Sequence, residues 1–129
     1  MGSDSDHLGN IRFQPTDGLT YNPNEPKYWD SQAMAKEIER TFELCHSCRM
    51  CFKYCQSFPT LFDAVDSHGD VRDLPESVTR QVVDECFQCK LCYINCPYTP
   101  ELHEWALDFP RLMLRSEAMR WRTGFCPEA

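Results

Sequence analysis

Eight of the nine cysteines in this chain of 129 residues form two copies of one pattern. In each copy, three cysteines follow one another at steps of three residues, and a fourth comes four residues later. The first run consists of Cys45, Cys48, Cys51 and Cys55, and the second of Cys86, Cys89, Cys92 and Cys96. Thiolates at this spacing hold cubane iron-sulfur clusters. The two runs therefore predict two [4Fe-4S] clusters.

The fourth cysteine of each run determines how the clusters are bound. In proteins with two cubane clusters, the first three cysteines of a run bind one cluster and the fourth binds the other. This rule assigns the first cluster to Cys45, Cys48, Cys51 and Cys96. It assigns the second cluster to Cys86, Cys89, Cys92 and Cys55. If residues 51–55 are helical, Cys51 and Cys55 lie about 6 Å apart, so the two clusters are close enough for electron tunnelling.

The chemistry expected of such a pair is the transfer of single electrons. The sequence offers no catalytic constellation beside the runs, so we expect a component of an oxidoreductase complex without a catalytic site of its own. Its partner would be a redox protein, either a flavoprotein or a cysteine-rich subunit. The alternative is the reductase module of a larger enzyme whose catalytic part lies elsewhere.

Two other uses of cysteine compete with clusters. A secreted disulfide scaffold is disfavoured because residues 1–10 contain neither the basic nor the apolar region of a signal peptide, which favours a reducing, cytoplasmic location. Zinc ribbons need only two close pairs of cysteines, which leaves the third cysteine of each run without a role. Cys126, the ninth cysteine, lies outside both runs and is expected to be a lone thiol.

The formal net charge of -7 limits the partners further. An acidic surface disfavours nucleic acid and suits docking on basic patches of redox proteins. No apolar run approaches the roughly 18 residues that cross a bilayer, so no transmembrane segment is expected. Any association with a membrane would be peripheral or through a partner.

Helices are predicted to carry both runs. Asp30 or Ser31 can cap a helix whose apolar stripe leads to Cys45 and consists of Met34, Ile38 and Phe42. Pro75 suits the first position of another helix, in which Val78, Val82 and Cys86 share one face. A helix is thus predicted to lead into the second run, as one leads into the first, so the chain contains an internal repeat.

The remaining segments complete an all-α prediction. We expect an extended arm over residues 1–30, a helical domain over residues 31–122 and a tail over residues 123–129. Short helices are predicted over residues 59–65 and 99–107, and a longer one begins near Pro110. Its inward side consists of Phe109, Leu112, Met113, Ser116 and Met119. Its arginines are predicted to form either a solvated face or a docking strip. They are Arg111, Arg115, Arg120 and Arg122.

The second run and its context, ECFQCKLCYINCPYTP from Glu85 to Pro100, resemble an α-helical ferredoxin domain. The family is the one that contains the C subunits of heterodisulfide reductase and of anaerobic glycerol-3-phosphate dehydrogenase. The 30 residues between Cys55 and Cys86 fit the helix pair of this family, and the resemblance covers residues 31–122. It implies two helix-and-motif repeats around two [4Fe-4S] clusters. Many relatives continue into cysteine-rich domains, and this sequence resembles their N-terminal module alone.

Overall fold

A computed structural model describes residues 13–122, which form five α-helices and two short 3-10 helices and contain no β-strand. The α-helices are α1 (Ser31–Cys48), α2 (Ser57–His68), α3 (Glu76–Glu85), α4 (Leu91–Asn95) and α5 (Phe109–Arg122). The 3-10 helices span Pro26–Trp29 and Val71–Asp73. This architecture confirms the all-α prediction. Within the described part of the chain, no helix is both long and apolar enough to cross a membrane.

Helix α1 positions the first half of the first cysteine run. The Asp30 carboxylate accepts a hydrogen bond from the Gln32 N–H at 3.0 Å and so caps the helix, as predicted. Ile38 and Phe42 are buried in the core. The helix is followed by its C-cap, Arg49, which has the left-handed conformation (φ 55°) and donates its N–H to the Cys45 carbonyl. Cys45 and Cys48 thus lie in the last helical turn.

Helices α2 and α3 form a pair that links the two cysteine runs. Their apolar faces pack together in the core, and the buried side chains include Phe58, Leu61, Val65, Val82 and Val83. The C-cap of α2 is Gly69, whose φ of 90° is readily adopted by glycine. The chain then turns through the second 3-10 helix and starts α3.

The starts of two predicted helices differ from the structure, and a third predicted helix is not formed. Helix α2 begins at Ser57, two residues before Pro59, and Pro75 is the N-cap of α3 and not its first helical residue. Residues 99–107 form turns and not a helix. Ala106 has a φ of 50°, which a continuing right-handed helix excludes, and its carbonyl accepts a hydrogen bond from the Tyr21 hydroxyl.

Helix α5 closes the core against α1, α3 and α4. All five residues of its predicted inward side are buried: Phe109, Leu112, Met113, Ser116 and Met119. The predictions for its arginines are wrong for Arg115, whose side chain is 0% exposed. Arg120 pairs with Asp84, and the guanidinium of Arg122 lies 4.4 Å from the ring centroid of Trp29. Arg115, Arg120 and Arg122 therefore each contact other residues of the same chain.

Arg115 holds the segment before α1 against the rest of the fold. Its Nε donates to the Tyr28 carbonyl at 2.9 Å, and one terminal nitrogen donates to the Lys27 carbonyl at 2.6 Å. The other terminal nitrogen donates to the carbonyls of Gly18 and Thr20 at 3.0 and 3.3 Å. A buried guanidinium needs such acceptors, because its hydration is lost.

A second buried arginine, Arg40, joins the same segment to α1. Arg40 pairs with Glu37 at 2.7 Å, and both side chains are almost fully buried. A terminal nitrogen of Arg40 donates to the carbonyls of Phe13 and Trp105, each at 2.6 Å. The Thr16 N–H and hydroxyl donate to the Glu37 carboxylate. Residues 13–30 are therefore packed on the helices through polar contacts with two buried arginines.

We predict that Arg115→Ala destabilises the protein by about 3 kcal/mol or more, because four backbone carbonyls, three of them in buried hydrogen bonds, lose their donor. The apparent thermal midpoint of anaerobically purified protein, followed by circular dichroism, should fall by about 10 °C or more. Arg122→Ala is the matched control on the same helix, since it removes an exposed cation-π contact worth about 0.5–1 kcal/mol. Equal midpoints for the two variants would contradict the structural role of Arg115.

Candidate metal centre

Thiols from both cysteine runs line two of the pockets. In one of them, Cys92 joins Cys45, Cys51 and Cys96. The other is lined by four thiols as well. They are Cys45, Cys48, Cys51 and Cys96, the four residues that the sequence assigns to the first cluster. The other walls are mainly apolar and include Phe58, Phe62, Pro97 and Leu107. Three thiols of the first run are thus brought together with the last thiol of the second. The binding of a cluster by these residues stays a prediction.

The other four cysteines also lie near one another. Burial raises the pKa of the Cys86 thiol, and negative charge at Cys55 and Cys89 raises it further. Burial raises the pKa of Cys92. Negative charge at Cys51, Cys86 and Cys55 raises it further, and the contribution of Cys51 is the largest of the three. Cys92 therefore lies near thiols of both groups, and the thiols of the first group beside it include Cys45 and Cys51. Cys89 is exposed, whereas Cys92 is buried.

The thiols need a cation if they are to ionise. Burial raises the pKa of Cys51 to about 12, with further contributions from Cys96 and Cys48. The pKa of Cys45 is raised well above its ordinary value, first by burial and then by the neighbouring thiols. At neutral pH such thiols stay protonated by themselves. Bound iron would offset both the desolvation and the repulsion, as metals do when they bind thiolates.

The backbone within the runs has an unusual conformation. Arg49, Gln88 and Lys90 have φ values of 55°, 60° and 68°, in the left-handed region that residues other than glycine seldom adopt. Each lies between two cysteines of one run. Such turns direct successive N–H groups into a concave surface that binds anions, including iron-sulfur centres. These conformations are not predictable from the sequence, because no glycine marks them.

Two sulfur atoms accept hydrogen bonds from outside their own residues. The Gln88 side-chain amide lies 3.5 Å from the Cys86 sulfur and also donates to the Pro110 carbonyl at 2.8 Å. The Tyr98 N–H donates to the Cys96 sulfur at 3.4 Å. Donors at cluster sulfurs stabilise negative charge there and tune the reduction potential. No local pattern in the sequence marks either contact.

The thiols are not gathered around one ion. Among residues 13–122, no three His, Cys, Asp or Glu side chains form a group that could hold a single metal ion. A tetrahedral zinc site needs thiolates that converge on a common centre about 2.3 Å away. A cubane cluster is instead bound at its corners, so its ligands stand around an inorganic core. Four thiols that line an apolar pocket, with the Tyr98 N–H at one of the sulfurs, provide ligands and surroundings suited to a cluster.

The geometry between the two runs depends on a contact between α2 and α3. The buried Ser57 hydroxyl donates to the Val82 carbonyl at 2.7 Å. The Thr60 hydroxyl donates to the Glu85 carboxylate at 2.6 Å. Ser57 comes two residues after Cys55, and Glu85 directly precedes Cys86. These two hydrogen bonds therefore fix the end of one run beside the start of the other.

Residues 51–54 form turns, with a hydrogen bond from the Tyr54 N–H to the Cys51 carbonyl at 3.0 Å, and not the helix assumed for the distance between Cys51 and Cys55. Arg49 ties this turn region to α2 through an ion pair with Asp66 at 2.8 Å. Cys126 lies outside the described residues, so the structure does not test its prediction.

Comparison with known proteins gives a distant similarity. The chain is 30% identical over 78 residues to citrate utilization protein B of Escherichia coli. The matched region is 60% of this chain and 18% of that protein, so the chain spans less than a fifth of the length of its relative. No family model matches the chain. No solved structure matches it either.

We predict that Ser57→Ala destabilises the protein by about 1–3 kcal/mol, because the Val82 carbonyl at the end of α3 loses a buried donor. The apparent thermal midpoint should fall by about 4 °C or more in an anaerobic melt. Ser47→Ala, at an exposed serine within the first run, is the control and should stay within about 0.5 kcal/mol of the parent. An unchanged midpoint for Ser57→Ala would show that this contact does not hold the helices together.

Proposed function

We propose that this chain is an iron-sulfur electron-transfer subunit or module. It holds two [4Fe-4S] clusters and passes single electrons between a flavin-type or carrier donor and a redox partner. The observation that supports this most directly is the pocket in which Cys45, Cys48 and Cys51 meet Cys96 of the other run. A crossed set of this kind is the arrangement expected of two cubane clusters that share the runs.

The proposal gives each group of residues a role. The first cluster would be held by Cys45, Cys48, Cys51 and Cys96, and the second by Cys86, Cys89, Cys92 and Cys55. When bound, such clusters accept and release one electron at a time. The apolar pocket walls, among them Phe58 and Leu107, limit the access of water to the first site. The Tyr98 N–H and the Gln88 amide stabilise negative charge on one sulfur at each site.

Transfer between the sites is supported by the position of Cys51 and Cys92. These two thiols are assigned to different clusters, and each one is near enough for its charge to act on thiols of the other group. An electron would therefore cross a short distance within one chain. The reaction requires no proton transfer or covalent intermediate on the protein, so its demands on the chain are position and electrostatic environment.

A second candidate is the same module within a larger enzyme that resembles heterodisulfide reductase or anaerobic glycerol-3-phosphate dehydrogenase. The similarity to citrate utilization protein B favours it, because the matched region is 18% of a longer protein. In that case the flavoprotein or cysteine-rich partner would supply the catalytic site. The role proposed for the eight cysteines is the same in both candidates.

Pairs of alanine substitutions test the crossed ligand sets. Under the proposal, Cys96 and Cys48 bind one cluster, so Cys96→Ala with Cys48→Ala should leave about four irons per chain. Cys96 and Cys89 bind different clusters, so Cys96→Ala with Cys89→Ala should leave almost none. Iron and acid-labile sulfide, measured per chain after anaerobic purification, give the result.

If each run bound its own cluster, the two double variants would exchange their results, and the crossed assignment would be wrong. Pairing Cys55→Ala with Cys89→Ala, and with Cys48→Ala, repeats the test from the first run. Here the first pair should keep about four irons and the second almost none. Circular dichroism of each variant confirms that the helices are retained.

A further inference from the structure

The Gln88 side chain is the one polar side chain that an identified hydrogen bond joins to a cysteine sulfur within residues 13–122. Its Nε2 lies 3.5 Å from the Cys86 sulfur and 2.8 Å from the Pro110 carbonyl oxygen. A primary amide nitrogen carries two hydrogens, so it can donate to both acceptors. Gln88 therefore joins the start of the second cysteine run to the start of α5.

The contact with Pro110 fixes which end of the amide faces the sulfur. A carbonyl oxygen only accepts hydrogen bonds, so the atom beside it must be the nitrogen of Gln88 and not its oxygen. The left-handed backbone of Gln88, with φ of 60°, brings its side chain back toward the cysteine two residues earlier. The donor is thus oriented by two independent constraints, one from its own backbone and one from α5.

The two groups of thiols differ in the donors that reach them. At Cys96 the identified donor is the Tyr98 backbone N–H, at 3.4 Å. At Cys86 the donor is the Gln88 side-chain amide, whose nitrogen lies 3.5 Å from the sulfur. A substitution at Gln88 therefore removes the side-chain donor at Cys86, whereas a backbone donor such as the Tyr98 N–H is not removed by a change of side chain.

We infer that Gln88 sets the reduction potential of the cluster bound by Cys86, Cys89, Cys92 and Cys55, by donating a hydrogen bond to the Cys86 sulfur. Reduction adds an electron to a cluster that is already anionic, so a donor at one of its sulfurs favours the reduced state. Gln88 is a positioning and tuning residue and not a ligand. The inference rests on the proposed function, since it needs the second cluster.

Gln88→Met tests the inference, because methionine has a similar size and no N–H donor. The reduction equilibrium of the second cluster should shift about tenfold toward the oxidised state, and a tenfold change in a one-electron equilibrium corresponds to about 59 mV. The potential is measured by redox titration followed by electron paramagnetic resonance. Asn95→Leu is the matched control, since Asn95 is another amide in this run and donates to the Leu91 carbonyl.

Single-cluster backgrounds separate the two potentials. In a Cys96→Ala background only the second cluster is expected, and Gln88→Met should lower its potential. In a Cys55→Ala background only the first cluster is expected, and the same substitution should leave its potential unchanged. Gln88→Lys retains a donor at the same position, so the potential of the second cluster should be equal to or above that of the parent.

The inference is overturned if clusters are present and Gln88→Met leaves the potential unchanged, or if both clusters shift equally. It is also overturned if Gln88→Lys lowers the potential as much as Gln88→Met does. Loss of the second cluster from both variants would overturn it too, since Gln88 would then have a purely structural role. Absence of clusters from the parent protein is a different result, which refutes the proposed function itself.

Discussion

The cost of ionising partly buried cysteine thiols that lie close together is the constraint on which the rest of the structure depends. Burial and neighbouring charge together raise the pKa of Cys45 and Cys51, so the site is unfavourable for thiolates until a cation is bound. The fold must nevertheless bring two runs together from distant parts of the chain. Helices α2 and α3 do so, because their packed faces return the chain from Cys55 to Cys86.

The framework around this site relies on polar contacts as well as on an apolar core. Arg40 and Arg115 are fully buried and donate to backbone carbonyls of the segment before α1. Burying two guanidinium groups is costly unless their donors are paired, and removing either one leaves several acceptors unsatisfied. Residues 13–30 are consequently part of the folded unit, and the 3-10 helix Pro26–Trp29 contacts both α1 and α5.

Much of the fold could be predicted because it follows from periodicity. The stripe that includes Ile38 and Phe42 and the inward side of α5 are buried as expected, since helical spacing alone places those residues on one face. The turns over residues 99–107 could not be predicted. The backbone there is held by a tertiary hydrogen bond from the Tyr21 hydroxyl to the Ala106 carbonyl, which no local pattern reveals. The burial of Arg115 could not be predicted either, because a charge is buried only where the fold supplies acceptors.

The grouping of four thiols in one pocket could be predicted from the sequence, whereas the contacts around them could not. Cysteine spacing singled out the residues that line the pocket with Cys96, since that spacing reflects the shape of a cluster. The contacts of Gln88 and Ser57 join residues that are 22 and 25 positions from their partners, and no local pattern marks them. The left-handed conformation of Lys90 was equally invisible, because lysine has no preference for it.

Native mass spectrometry of the anaerobically purified chain tests the central claim most directly, because it counts the inorganic atoms bound to each intact molecule. We predict a single main species that carries about eight irons and eight sulfides, as two cubane clusters require. A colourless protein whose mass corresponds to the bare chain, or to the chain with one or two zinc ions, would contradict it.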